Sequence, residues 1–376
     1  MLIPKGVTIA EIENLYSSVG KNITFEIPNG FRGQRISIIP RLSQFFITLL
    51  KIHSPKINFS WVSEDQLIAQ QAIIDDPICL TALLMADEVY SSEGRPLKRL
   101  MNNLLIKRFD SSIYKKGRSI HMTAVDHSIE KYAMPECFYF EMDGKIGVRE
   151  SIFYFELIKE YLSEVAKQAN FSDDDLVKIG DLLAELIENT DEHALSDYVT
   201  GLAQKSVRSV VLNCHQVQNG QNISKVCGEG TPVFDYITNI KHADQPLDIL
   251  EISIFDSGPG LYRSFEKNPE MATLQEEYTS LSNCFREGVT SKPNGVGFGR
   301  GLNKARLILD KKNAFVSIRT GRLSVYRNFH TSPLLNLEDP DKPDVGFYDE
   351  INKSDTNFSE NSAVEGLAYT ILVPLK

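Results

Sequence analysis

The sequence of 376 residues lacks several features that would place a protein in a specialised class. Its five cysteines are scattered, and none forms the CxxC pair of a zinc or thioredoxin-like site. An odd number of thiols is more typical of a reducing cytosol than of a secreted disulfide framework. The N-terminus has no apolar signal segment, and the longest apolar runs fall far short of the ~20 residues of a membrane helix. We therefore expect a cytoplasmic protein that does not enter a membrane.

Positive charge is also in short supply. The chain carries 40 lysines and arginines against 50 acidic residues, a net charge of −10. An acidic surface repels nucleic-acid phosphates and anionic lipids, so broad electrostatic binding to either is not expected. The chain is too long for one ordinary domain, and its length predicts two or three.

The apolar pattern predicts an α/β protein with a division near residue 145. We expect residues 1–145 to form a separate N-terminal α/β domain, and no motif in them indicates a role. Residues 150–376 alternate amphipathic helices with buried strands. Polar stretches near 219–245 and 331–362 look like insertions into this second domain.

Glu185 and Asn189 lie in the segment ELIENTDEHA, within a predicted helix that starts after Ser172. Residues four apart share one helix face, so both side chains should project together. An asparagine carbonyl can supply one oxygen ligand to Mg²⁺, and a carboxylate one turn away can act as a general base on water. His193, in the same segment, is a candidate phosphate contact. The alternative is an exposed polar helix face.

Asp256 begins the segment DSGPG directly after a buried strand. A carboxylate at a strand end can accept a hydrogen bond from an exocyclic amine. Gly258 and Gly260 would let a flat base approach the backbone closely. Taken alone, the same segment is equally well explained as a turn.

A glycine-rich loop, TSKPNGVGFGRGL, precedes a predicted helix. Alternating glycines expose backbone N–H groups, and a helix N-terminus favours phosphate. Basic side chains in the loop can add charge, although solvated surface charges would have the same pattern. The candidate ligand-binding residues of the loop are Lys292, Gly295, Gly297, Gly299, Arg300, Gly301 and Leu302.

In this order the three segments resemble the N, G1 and G2 boxes of the GHKL (Bergerat-fold) ATPase superfamily. That superfamily includes gyrase-type topoisomerases, the ninety-kilodalton heat-shock chaperones, MutL-type repair proteins and sensor histidine kinases. The final segment, GLAYTILVP over residues 366–374, resembles the closing strand of the histidine-kinase-like ATPase domain (HATPase). The resemblance covers roughly residues 150–376.

The resemblance implies a C-terminal Bergerat-fold α/β sandwich, in which helices cover a mixed sheet. It also implies that ATP and Mg²⁺ bind, with Asn189 on the metal, Asp256 on the adenine amine and the loop glycines along the phosphates. Glu185 takes the position of the general base in the hydrolysing members. Residues 261–300 would form the ATP lid.

The sequence departs from the family pattern at two positions. Glu192 stands where the kinases often have a lysine or arginine, and this removes one phosphate contact. Leu367 replaces the usual threonine of the closing strand. The segment AVDHSIE around His127 shows neither the long helical hairpin nor the His-Glu/Asp pair of a histidine-kinase phosphoacceptor, so we do not predict that role for it.

Three functions fit this pattern. The first is a Mg²⁺-dependent ATPase switch, in which lid closure is coupled to a protein partner or to the N-terminal domain. The second is a protein kinase of the anti-sigma or histidine-kinase type that phosphorylates a partner. The third is an ATP-sensing interaction module without catalysis. Family members often dimerise on ATP, so a homodimer is a further expectation.

Overall fold

The computed structural model describes most of the chain, namely residues 1–19, 23–31, 36–110, 113–125, 135–143, 145–166, 171–193, 205–218, 223–241, 246–266, 272–286, 301–334 and 346–375. The first elements are α1 (Ile9–Ser18), β1 (Thr24–Glu26), α2 (Ile38–Ile52), β2 (Lys56–Asn58), α3 (Leu67–Asp75), α4 (Pro77–Met85), β3 (Val89–Tyr90), α5 (Asn102–Asp110), β4 (Ile113–Lys116) and β5 (Ser119–Val125). The next are β6 (Tyr139–Met142), β7 (Lys145–Val148), α6 (Ser151–Val165), α7 (Asp173–His193), β8 (Val207–Val217), α8 (Ser224–Cys227), α9 (Pro232–Ile240) and β9 (Leu247–Asp256). The last are α10 (Leu261–Glu266), α11 (Leu274–Cys284), α12 (Gly301–Lys311), β10 (Phe315–Gly321), β11 (Leu323–Asn328), β12 (Tyr348–Asp349) and β13 (Val364–Leu375).

An eight-stranded sheet with the order β12-β11-β10-β13-β9-β8-β5-β4 forms the centre of the fold. The α/β class predicted from the sequence is confirmed, but the expectation of a mixed sheet is wrong, because every neighbouring pair in this sheet is antiparallel. Short turns join β4 to β5 and β10 to β11, and a turn of that length can only connect antiparallel strands. Among the described residues, parallel pairing is confined to the small sheet β1-β2-β3.

The N-terminal segment contributes to the large sheet as well as to its own small one. Strands β4 and β5 extend the large sheet beyond β8, and β5 pairs with β8 from Ser119–Asn213 to Val125–Val207. Helix α2 packs on β13 and β9, and α4 packs on β8. The fold therefore differs from the expected separate domain over 1–145, because two of its strands and two of its helices share the sheet of the C-terminal segment.

Both faces of the sheet are covered, and the central strand β9 shows this in its sequence. Side chains alternate between the two faces of a strand. Leu250, Ile252 and Ile254 belong to the core shared with α6, α7 and α12. Glu251 and Ser253 alternate with these residues along the strand and point to the opposite face. They are also fully buried, on the side of α2. A sheet that is buried on both faces does not alternate simply between apolar and exposed polar residues.

Helices α6 and α7 cross closely on the first face. The predicted start of α7 is confirmed, since the hydroxyl of Ser172 accepts a hydrogen bond from Asp175 N at 3.1 Å. At the crossing, a Cβ on Gly180 would lie 2.8 Å from Phe155 N and 2.9 Å from Ser151 O of α6. The absence of a side chain at residue 180 therefore sets the distance between the two helices.

Of the predicted ATP lid over 261–300, the structure describes residues 261–266 and 272–286. These residues form α10 and α11, which pack against β10 and β11. Glu277 of α11 accepts hydrogen bonds from Arg322 N at 2.8 Å and Arg322 Nε at 2.7 Å, and the Tyr278 ring stacks on Phe358 at 4.0 Å. The Glu277–Arg322 contacts join α11 to the turn between β10 and β11.

The described residues of the two predicted insertions include elements of the fold. The stretch 219–245 contains α8 and α9, whose apolar residues share a small core with β8, β9 and β10. The stretch 331–362 contains β12, the edge strand of the large sheet.

Within the described part of the chain, no single helix is long and apolar enough to cross a membrane. Helices α3 and α4 together meet that test of length and composition, but they are bent by 95° relative to each other.

Candidate functional site

Helix α7 places Glu185 and Asn189 one turn apart, as the sequence predicts. The Asn189 side-chain amide donates to the backbone oxygen of Glu185 at 2.6 Å. This bond uses the amide nitrogen of the side chain. The side-chain carbonyl oxygen is the atom that can bind a hard cation. His193 is the last residue of α7, and neither its side chain nor that of Glu192 is among the described groups.

Glu185 lines an open cavity of about 500 Å³ between α7, α12 and the start of α6. Its carboxylate lies 3.9 Å from the Lys304 ammonium, which also pairs with Asp181 at 3.0 Å. A basic residue on a surface helix is ordinarily a solvated charge, and the Lys304 side chain is 48% exposed. Its contact with the candidate base was not foreseen. The lining residues are Val148, Arg149, Glu150, Ser151, Asp181, Ala184, Glu185, Glu188, Asp191 and Lys304.

Asp256 is the last residue of β9, and its carboxylate is buried, with 5% exposed. Its Oδ1 accepts a hydrogen bond from Gly258 N at 2.8 Å. Burial raises the pKa of Asp256 from 3.8 to about 6, against the lowering effect of the Gly258 hydrogen bond and of Lys51 and Arg208. Asp256 is thus a buried hydrogen-bond acceptor whose pKa is raised by its burial.

The loop that follows Asp256 is held in a tight interlock with the start of β13. Gly366 N donates to Gly258 O at 2.7 Å, and a Cβ on Gly366 would lie 1.9 Å from Asp256 O. Gly260 has a φ of +84°, and a Cβ there would lie 3.0 Å from the Thr320 hydroxyl. The glycines at 260 and 366 are therefore required by backbone conformation and close approach, and they fix the direction in which β9 ends.

Arg208 connects the end of α7 to the end of β9. It is opposite Asp256 in the β8–β9 register, and only 1% of it is exposed. Its Nη1 lies 2.8 Å from Asp191 Oδ1, and the Tyr139 hydroxyl donates to the same Asp191 oxygen at 2.6 Å. A buried guanidinium is tolerated only where it is paired, so this chain of contacts firmly orients α7 beside Asp256.

The described end of the glycine-rich loop also reaches α7. Gly301 is the first residue of α12, and Leu302 is buried in the core between α12 and α7. The Lys304 contact with Glu185, one turn further on, joins the same two helices. The other loop residues, Lys292, Gly295, Gly297, Gly299 and Arg300, lie outside the described residues, as does His127.

Three segments that are far apart in sequence thus converge at one end of the sheet: the C-terminal half of α7, the end of β9 and the start of α12. The sequence indicated all three, but not the connecting residues. The sequence contains one indication of the role of Arg208, namely that it is a charged residue within the mostly apolar strand VRSVVLNC. Leu367, where the family pattern has threonine, is buried opposite Asp256, and its backbone hydrogen bond contributes to lowering the pKa of Asp256.

In the described part of the chain, no three His, Cys, Asp or Glu side chains gather into a metal-binding group. The predicted Mg²⁺ site consists of one asparagine completed by phosphate oxygens and water, so it would not form such a group. Comparison of the chain with protein-family models, with curated proteins and with solved structures finds no match.

Proposed function

We propose that the protein is an ATP-binding and ATP-hydrolysing switch, whose site lies where α7, β9 and α12 meet. The observations that carry the proposal are the Asp191–Arg208 salt bridge and the strand register that sets Arg208 opposite Asp256, which together bring two sequence boxes 67 positions apart to the same end of the sheet. Each box alone has an ordinary structural explanation. Their convergence supports a common ligand.

The chemistry of the residues fits adenine and a phosphate-bound cation. Asp256 offers a buried carboxylate oxygen to an exocyclic amine, and a buried acceptor of this kind is stabilised by such a donor. Asn189 offers a carbonyl oxygen to Mg²⁺. The metal would supply charge neutralisation at the phosphates. The helix start at Gly301 is suited to phosphate through its unpaired backbone N–H groups.

Glu185 is the residue that favours hydrolysis over binding alone. It is one turn from Asn189, lines an open cavity and has 27% of its side chain exposed, so water can reach it. A carboxylate in that position can orient a water molecule and take its proton. The salt bridge with Lys304 makes the position of Glu185 depend on α12, the helix that follows the glycine-rich loop.

Similarity of these boxes to those of the GHKL superfamily supports the same function. The switch would act on the N-terminal elements that cover the opposite face of the sheet, or on a protein partner.

Calorimetry with Mg²⁺ and ATP tests the binding, with Asp256→Asn as the matched variant. We expect saturable binding by the wild type and much weaker binding by the variant. The absence of wild-type binding would overturn the proposal.

A second candidate is a protein kinase of the anti-sigma or histidine-kinase type. What favours it is β13, since the strand that carries the kinase-like closing sequence pairs with β9 from Leu367–Asp256 to Leu375–Asp248 and packs Gly366 against Asp256. Labelled ATP and candidate partners distinguish the two functions. A stable phosphoprotein favours the kinase, free phosphate favours the ATPase, and binding without either product favours an ATP-sensing module.

A further inference from the structure

Helix α2 carries a stripe of polar side chains that the sheet buries. Arg41, Gln44, Thr48 and Lys51 recur at intervals of three and four, so they share one helix face. The first three are no more than 3% exposed, and the Lys51 side chain is 12% exposed. Polar groups at such depth are unfavourable unless they find partners, so the partners define what the stripe does.

Three members of the stripe contact the segments on either side of Asp256. The Gln44 amide donates to Gly366 O at 3.4 Å, and the Thr48 hydroxyl accepts from Glu365 N at 3.0 Å. The Lys51 ammonium donates to the backbone oxygen of Ser257 and lies 3.6 Å from the Glu365 carboxylate. Helix α2 therefore holds both the loop after β9 and the start of β13.

These two segments are the ones that set the direction of the Asp256 carboxylate. Gly366 packs directly against the Asp256 backbone oxygen and donates to Gly258 O. Ser257, the acceptor for Lys51, lies between Asp256 and Gly258 in the chain. Its own backbone N–H donates to Val207 O and its hydroxyl accepts from Val207 N. Residue 257 is thus fixed from β8 on one side and from α2 on the other.

We propose that Lys51 is a positioning residue for Asp256: from the opposite face of the sheet, its ammonium fixes the backbone at Ser257 and sets the charge environment of the adenine-binding carboxylate. This rests on the proposed ATP site and adds a residue to it that belongs to the N-terminal segment. It also gives the N-terminal segment a direct contact with the nucleotide site.

The charged and titratable groups around Asp256 come from three elements. Lys51 faces it from α2, Arg208 from β8 and Tyr369 from β13. Lys51 and Arg208 both lower the pKa of Asp256, against the larger effect of burial. Burial also lowers the pKa of Lys51 itself, and Glu365 is the main group that opposes this. Loss of the Lys51 charge should therefore raise the pKa of Asp256 towards neutrality.

The first test compares Lys51→Met with Arg263→Met by calorimetry with Mg²⁺ and ATP over a range of pH. Arg263 pairs with the same Glu365 at 3.2 Å, but it is 45% exposed and its guanidinium donates to Glu365, whereas the donor to Ser257 O is Lys51, so Arg263 serves as the control. We expect Lys51→Met to weaken binding about tenfold or more at neutral pH and to move the acidic limb of the binding curve to higher pH. Arg263→Met should stay within about twofold of the wild type. Equal behaviour of the two folded variants would overturn the proposal.

A second variant, Glu365→Gln, should shift the pH dependence of ATP binding in the opposite direction. It tests the proposal even if Lys51→Met does not fold. Glu365→Gln removes the carboxylate that offsets the Lys51 charge, so the acidic limb should move to lower pH. No shift, or a shift to higher pH, would contradict the role of Lys51.

A third measurement needs no ATP and separates this proposal from the proposed function. The free energy of unfolding is measured against pH for two pairs of proteins: the wild type with Asp256→Asn, and Lys51→Met with the double variant Lys51→Met/Asp256→Asn. Within each pair, the difference reports the titration of Asp256. The midpoint assigned to Asp256 should be higher in the Lys51→Met pair. If the wild type binds no ATP, the proposed function fails, and this midpoint still decides whether Lys51 controls Asp256.

Discussion

Replacement of Asp256 by asparagine is expected to stabilise the ligand-free protein at neutral pH while it removes affinity for ATP. Burial raises the pKa of this carboxyl from 3.8 to about 6 in the folded state. A raised pKa means that the folded protein binds the proton more tightly than the unfolded chain does. The contribution to stability is therefore complete below about pH 3.8 and is lost as the pH rises through about 6.

The magnitude follows from the size of the shift. About two pKa units at 1.36 kcal/mol per unit amount to about 3 kcal/mol over the whole titration. Of this, about 1.4 kcal/mol falls between about pH 5 and pH 7.5, where the protein can be studied without acid unfolding. Asparagine has the same shape and can still accept the Gly258 hydrogen bond, but it does not ionise.

The assay is urea denaturation of the wild type and Asp256→Asn at about pH 5 and pH 7.5. The difference in the free energy of unfolding should shift by about 1.4 kcal/mol in favour of the variant at the higher pH. Contributions that do not depend on pH cancel in this comparison. A difference that is the same at both pH values would refute the raised pKa of Asp256. Saturating Mg²⁺ and ATP should stabilise only the wild type, since an asparagine amide presents a donor to the adenine amine.

Three further variants test the site and the fold. Glu185→Gln should slow phosphate release by about 100- to 10,000-fold with ATP binding retained, whereas Glu188→Gln, which removes the same charge from the same cavity, should change it by less than about threefold. Asn189→Ala should abolish the Mg²⁺-dependent part of ATP affinity in calorimetry with and without EDTA; unchanged metal dependence would exclude Asn189 as the ligand. Gly180→Ala should lower the free energy of unfolding by about 1–3 kcal/mol despite the better helix propensity of alanine, because its Cβ meets the α6 backbone; a more stable variant in urea denaturation would contradict the close crossing.

The sequence predicted those features whose causes are local. The start of α7 depends on a hydroxyl that caps nearby N–H groups, and Ser172 does this. Asp256 follows the segment LDILEISIF, in which apolar residues predominate, so its position at a strand end could be predicted from the pattern alone. Glu185 and Asn189 share a face because any helix brings residues four apart together.

The features that the sequence did not predict depend on contacts between distant segments. Strand β5 looks like any short strand, and its place beside β8 follows only from pairing over about 90 residues. The sequence of α2 does not reveal which segments its polar stripe contacts. Arg208 was visible as a charge in an apolar strand, but its partner Asp191 lies in a different predicted element. A regular antiparallel sheet likewise arises from the set of connections and not from any single strand.

Asp256 lies between the N-terminal and C-terminal elements, and residues from both surround its carboxylate and the loop that follows it. On one face of the sheet, Arg208 and Asp191 connect it to α7, which carries Glu185 and Asn189. On the other face, Lys51 connects its loop to α2 and hence to the N-terminal elements. A ligand can shift a conformational equilibrium only through contacts that differ between the two states. An adenine amine bound at Asp256 would change the electrostatics felt by Lys51 and Arg208 together, so a switch built on this site would act through β9 itself and would not require the α10–α11 region to move.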